Sequence, residues 1–181
     1  MNIFPKSEFS RIFSADDIAD TTLEIYIDAT AAECGALSKR FELENIKNLR
    51  AHLKFDGAFS GNKLTLTSEF SADITQICVV TLEPFDSRIE GDFHYTFLPD
   101  DLIDAETEVE FDLDEADPPE PIIDGKIDAG ELVTEHLGLE IAPFPKSPKA
   151  DFKLHQDNQV GDENSDDPDN PFAILEELKN R

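Results

Sequence analysis

The stretch from Phe70 to Phe97 constrains the fold of this chain more than any other. It is the longest apolar, β-branched and aromatic region. It predicts two long strands, Phe70 to Leu82 and Asp92 to Leu98. Glu83-Pro-Phe-Asp-Ser87 separates them, because Pro84 cannot donate to a ladder. Shorter stretches with a period of two come before it. Leu23, Ile25 and Ile27 share one face of Thr21 to Asp28. Leu49, Ala51, Leu53 and Phe55 do so in Leu49 to Asp56, and Leu64 and Leu66 in Lys63 to Ser68. Asp56-Gly57 and Ser60-Gly61-Asn62 are turn signals. Successive short strands of this kind predict a mainly antiparallel sheet, free to curl toward a small barrel.

Two or three helices flank that sheet, so the fold class is α+β. Thr30-Ala-Ala-Glu33 reads as a capping box, in which hydroxyl and carboxylate each satisfy an orphan amide. Its helix runs to about Phe41, with Ala32, Ala36 or Leu37, and Phe41 on the buried side. Lys39 and Arg40 fall in the last turn, where cations oppose the negative end of the dipole. Asp128-Ala-Gly-Glu131 reads as a second capping box. Ala129, Val133 and Leu137 share a face of its helix, and Gly138 marks its end. Leu139 to Ile141 then reads as extended.

Pro143, Pro145 and Pro148 end the regular structure. The expected organisation is one domain over residues 1–148, a polar linker over 149–170, and a short amphipathic helix in 171–181. Asn170 suits the N-cap of that helix, Pro171 its first turn, and Phe172, Leu175 and Leu178 share a face. This segment either docks on its own domain or offers three apolar anchors to a partner.

With 39% hydrophobic residues, 14 Phe and no Trp, the core must be built from Phe, Leu and Ile. No apolar run approaches the roughly 18–20 residues of a membrane helix. The first residues lack the apolar stretch of a secretory signal. Cys34 and Cys78 form neither a disulfide framework nor a metal-ligand spacing. A cytosolic protein with reduced thiols is expected, and both cysteines read as small buried hydrophobes.

Charge narrows the function classes. Fifteen Lys and Arg against 41 Asp and Glu give a net charge of −26. Such a chain repels a phosphate backbone as a whole. It suits a basic partner such as a ribosomal protein, or the charge serves solubility alone. Between Asp100 and Asp124 there is no Lys or Arg. There Val109, Phe111 and Leu113 alternate with Glu108, Glu110, Asp112 and Asp114. This predicts a strand with a carboxylate-lined outer face, the candidate partner-binding surface. Its flank Ala116 to Pro121 reads as loop. The segment lacks the glycine and closing Glu of a calcium loop.

The one cationic stripe is Arg50, His52 and Lys54, with Lys47, Lys39 and Arg40 near in sequence. It is either a small RNA contact or a solvated strand face paired with acidic neighbours. The four histidines, His52, His94, His136 and His155, are scattered. No nucleophile elbow, phosphate-cradling glycine loop or dinucleotide fingerprint is present. Neither an enzyme, a cofactor, a metal nor a small-molecule substrate is expected.

At Cys78-Val-Val-Thr-Leu-Glu-Pro-Phe85, and again at Asn170-Pro-Phe-Ala-Ile-Leu-Glu-Glu-Leu-Lys179, the sequence resembles the YceD family. That family is also known as a domain of unknown function and as the large ribosomal RNA subunit accumulation protein. Glu33 to Phe41, Gly125 to Glu135 and Leu139 to Pro145 are similar to its α-proteobacterial branch. The resemblance implies a role in 23S ribosomal RNA synthesis, processing or stability, and so in building the large subunit. In that family the gene commonly neighbours one for a small basic ribosomal protein. The resemblance assigns no catalytic residue. It marks Cys78, Glu83, Pro84 and Phe85 as motif positions with structural roles. Many members carry Cys-x-x-Cys where this chain has Cys78-Val-Val-Thr81, so a zinc or redox role is not expected here.

Together these readings predict a non-enzymatic factor that acts on ribosomal RNA indirectly, by binding a basic ribosomal protein or assembly factor. Direct RNA binding through Arg50, His52 and Lys54 is the alternative, and an RNA-processing enzyme a remote one.

Overall fold

The computed structural model describes residues 7–18, 22–57, 63–100, 102–103 and 118–150. All of them belong to one compact unit, Met1–Ala150. The element order is β1 (Ile12–Ser14), α1 (Ala15–Ile18), β2 (Thr22–Asp28), α2 (Ala31–Arg40), β3 (Asn45–Asp56), β4 (Leu64–Ile77), β5 (Pro84–Pro99), β6 (Glu120–Ile122), β7 (Lys126–Asp128) and α3 (Ala129–Glu140). The fold is α+β. A five-stranded sheet runs in the order β2-β3-β4-β5-β6, antiparallel except for the β5–β6 pair, and β1 and β7 form a second, antiparallel pair. Among the described residues no barrel closes: β2 and β6 stand at opposite edges.

The period of two explains which face is buried. Ile27, Ala51, Leu53, Phe55, Leu66, Phe70, Ile74, Ile89 and Phe93 all point inward. Cys34 and Leu37 of α2, and Val133 and Leu137 of α3, are buried in the same core. Phe13 of β1 packs at a tilt against Phe55, with ring centroids 4.9 Å apart, which ties the small pair to the main sheet. Among the described residues, helices and the small pair thus cover one face only.

Several expectations are corrected. Residues 64–77 form one strand, not two, with Ser68 buried at an inward position where an apolar residue would have signalled continuity. That strand ends at Ile77, and Cys78 opens a turn rather than lying within a strand. β5 already begins at Pro84, opposite Ile77. The first residue of a strand tolerates proline. β3 begins at Asn45 and carries a bulge between Lys47 and Arg50, with Asn48 at φ 53°. Asn is among the few residues that adopt that left-handed conformation readily, and its side-chain amide donates across to Asp73 of β4 at 2.7 Å. Glu120–Ile122 is a parallel edge strand, not loop.

The helices follow their caps. Thr30 and Glu33 make the reciprocal capping box, but Ala32 is exposed, and Cys34, Leu37 and Ser38 form the buried side. Asp128 caps α3 by accepting from the amides of Gly130 and Glu131. Glu131 does not complete a box: its carboxylate meets Arg40 at 2.9 Å and the Ser7 hydroxyl. Gly138 does not end α3, which continues through Leu139 to Glu140. A Cβ at Gly138 would press on the Phe41 ring at 3.0 Å, so the glycine serves close packing.

The N-terminal segment is held by two arginines. Arg11 makes a two-pronged pair with Glu33, at 2.7 and 3.1 Å, and donates to the Asp28 carbonyl. Its own amide donates to Asp128 at 2.7 Å. Arg40 bridges Glu8 and Glu131.

Candidate interaction surface

β2 to β5 form the face of the sheet that is left open among the described residues, and pairing places its side chains in rows. One row reads Tyr26, His52, Glu69, Asp92 across the four strands. On one side of it lie Asp28, Arg50, Ser71 and Glu90, and on the other Glu24, Lys54, Thr67 and His94. A depression of about 600 Å³ runs over this face, lined by Tyr26, Arg50, His52, Glu69, Arg88 and Asp92 among others.

The expected stripe of Arg50, His52 and Lys54 is present on one strand face. Glu24 of β2 partly neutralises it: Lys54 lies 3.5 Å from its carboxylate and His52 Nε2 4.0 Å. Arg50 makes no ion pair among the described residues. Arg40 belongs to the Glu8–Glu131 bridge and does not join the stripe. Arg88, on β5, is held by Glu90 at 2.7 Å and Asp73 at 3.5 Å. Across the three rows, the carboxylates of Glu24, Asp28, Glu69, Glu90 and Asp92 outnumber the cations Arg50 and Lys54.

One residue of this face carries no signal in the sequence. Tyr26 is 74% exposed and stacks on His52, with ring centroids 4.4 Å apart and planes 13° from parallel. An alternating strand gives no sign that an outward Tyr stacks on its cross-strand neighbour; only the register shows it.

At the end of the β4–β5 hairpin the family-motif residues sit together. Cys78 is fully buried, and its sulfur accepts from the Ser147 amide at 3.3 Å. Its own amide donates to the Glu83 carbonyl, and Val79 donates to the Pro145 carbonyl, both at 2.9 Å. A hydrogen bond from Thr81, then the Ser147 amide, lower the Cys78 thiol to about 7. Pro84 opens β5, and Phe85, half-buried, faces Gln76. Among the described residues no three His, Cys, Asp or Glu side chains converge as metal ligands. No helix among them is long and apolar enough to cross a membrane. Glu108, Glu110, Asp112 and Asp114, and the anchors Phe172, Leu175 and Leu178, lie outside the described residues.

Residues 66–179 match the family described as large ribosomal RNA subunit accumulation protein YceD. The chain belongs to the YceD family. The match takes in the Cys78 turn and α3 but begins within β4, so Tyr26, Arg50, His52 and Lys54 precede it. The YceD family's description ties it to accumulation of large-subunit ribosomal RNA. No curated protein and no solved structure matches the chain.

Proposed function

We propose that this chain supports 23S ribosomal RNA accumulation without catalysing a reaction, by binding a basic ribosomal protein or assembly factor through its acidic surface in the cytosol. The α-proteobacterial branch is part of the same proposal, supported by the stretches Glu33 to Phe41, Gly125 to Glu135 and Leu139 to Pro145. The observation that carries this reading is the contrast between a family tied to ribosomal RNA and a chain of net charge −26. Strong nucleic-acid binding rests on neutralising phosphates with cations. Here Lys54 and Arg88 already face carboxylates. The same field attracts a cationic protein and shields it from wrong contacts. The sequence offers two further candidate contacts for such a partner, the carboxylates between Asp100 and Asp124 and the apolar residues Phe172, Leu175 and Leu178.

A second reading, direct RNA contact, is favoured by Arg50, which lacks an ion pair among the described residues and lies diagonal to the Tyr26 ring. Retention of proteins and RNA from native lysate, at low and moderate salt, separates the two. The bait is the full chain, beside a version ending at Asp169. The proposal expects a basic ribosomal protein or assembly factor retained after nuclease treatment and lost with salt. Ribosomal RNA retained after removal of protein, and lost on charge reversal of Arg50 and Lys54, would establish the second reading instead.

A further inference from the structure

We infer that the open face of the five-stranded sheet is where the basic partner docks, and that Tyr26 receives an arginine side chain of an extended partner segment. The inference rests on the function proposed above and gives it a place.

The face has three properties that a solvated surface does not require together. First, Glu69 and Asp92 stand directly opposite each other on β4 and β5, and neither makes an ion pair among the described residues. Like charges in that position repel, and a cation laid between them relieves the repulsion. Second, Tyr26 is braced from one side by His52 while most of its surface stays open. Guanidinium groups stack on such rings through the quadrupole, and planar arginine does so better than a strongly hydrated ammonium. Third, Glu24 and Asp28 flank Tyr26 on its own strand, so a cation on the ring meets carboxylates on both sides.

Spacing sets the segment. Strands lie about 4.8 Å apart, so the midpoint of the Glu69–Asp92 pair is about 12 Å from Tyr26. Roughly four residues of extended chain at about 3.3 Å each cover that distance. The face therefore selects a basic segment crossing the strands, with an arginine on Tyr26 and a second cation about four residues away. Tyr26 and Arg50 would also accept an unpaired base. Its neighbouring phosphates would then meet Asp28, Glu69, Glu90 and Asp92, which favours the cationic segment.

The test is an NMR titration of the full chain at low salt with three probes. These are a Gly/Ser peptide bearing two arginines about four residues apart, its lysine counterpart, and a short unstructured RNA. The expected result is shifts at the amides of Tyr26, Glu69 and Asp92, saturating at several-fold lower concentration for the arginine peptide. Tyr26→Leu should weaken it about 3- to 10-fold, Tyr26→Phe should retain it, and Glu69→Gln should weaken it too. Arginine-peptide binding that survives both Tyr26→Leu and Glu69→Gln overturns the location and leaves the acidic-surface function standing. No binding of either peptide overturns the inference, whereas no binding of a basic ribosomal protein at low salt overturns the function it rests on. RNA binding abolished by Tyr26→Leu, with peptide binding unchanged, makes the face an RNA site and overturns the inference.

Discussion

Single side chains decide how the N-terminal segment and the helices are fixed. Arg11 holds the Glu33 carboxyl down at about 2, first through its hydrogen bond and then with help from the Thr30 amide and hydroxyl. A carboxyl lowered from its ordinary 4.5 stabilises the fold fully above that value, and the contribution is lost as pH falls toward 2. Arg11→Ala should therefore cost about 1–2 kcal/mol at neutral pH, between an exposed pair and a shielded charged hydrogen bond. Urea unfolding along a pH series should show the gap from wild type closing below pH 4.5. At the end of α2, Glu42 occupies the left-handed position of a Schellman turn, with φ 54° and Leu43 donating to Ser38. Glycine is at ease there, so Glu42→Gly should gain up to about 1 kcal/mol. Gly130 is the opposite case. A Cβ there would strike the backbone of Phe9 and Arg11, so Gly130→Ala should lose about 1–3 kcal/mol by overpacking. The same unfolding curves report both signs.

At the scale of elements, alternation made the inner face legible, because Leu23 to Ile27 and Leu49 to Phe55 must each bury one side. The length of β4 was not legible, since Ser68 interrupts the apolar pattern at a position the fold nevertheless buries. The start of β5 was hidden by Pro84, although Ile89 inward and Arg88 and Glu90 outward keep the alternation. Gly138 looked like a stop because nothing local shows that Phe41 lies against it. Asp124-Gly125, both at positive φ, makes the tight hairpin from Ile123 to Lys126. That signal was available, but only three-residue strands flank it. The Cys78 turn was missed as a turn because Ile77-Cys78-Val79-Val80 has strand composition. Its sulfur is stabilised as thiolate by Thr81 before any other group. Thr81→Val should raise the thiol from about 7 back toward 9, read by thiolate absorbance in a Cys34→Ala background. In the wild type this lowered value adds stability as pH rises from about 7 toward 9 and none below.

For the whole molecule, two layers leave one sheet face open among the described residues, and that face is acidic in a chain that is itself strongly acidic. The proposed basic partner is read from sequence charge; it took strand register to bring Tyr26, Glu69 and Asp92 into one row. Exposed charges are screened over about 10 Å at 0.1 M salt and about 3 Å at 1 M. An interface built from them must weaken as salt rises. The most direct measurement is the affinity of the full chain for a purified basic large-subunit ribosomal protein, free of RNA, across that salt range. The account predicts tight binding at low salt that falls steeply as salt is added. An affinity unchanged by salt, or no binding at low salt, would contradict it.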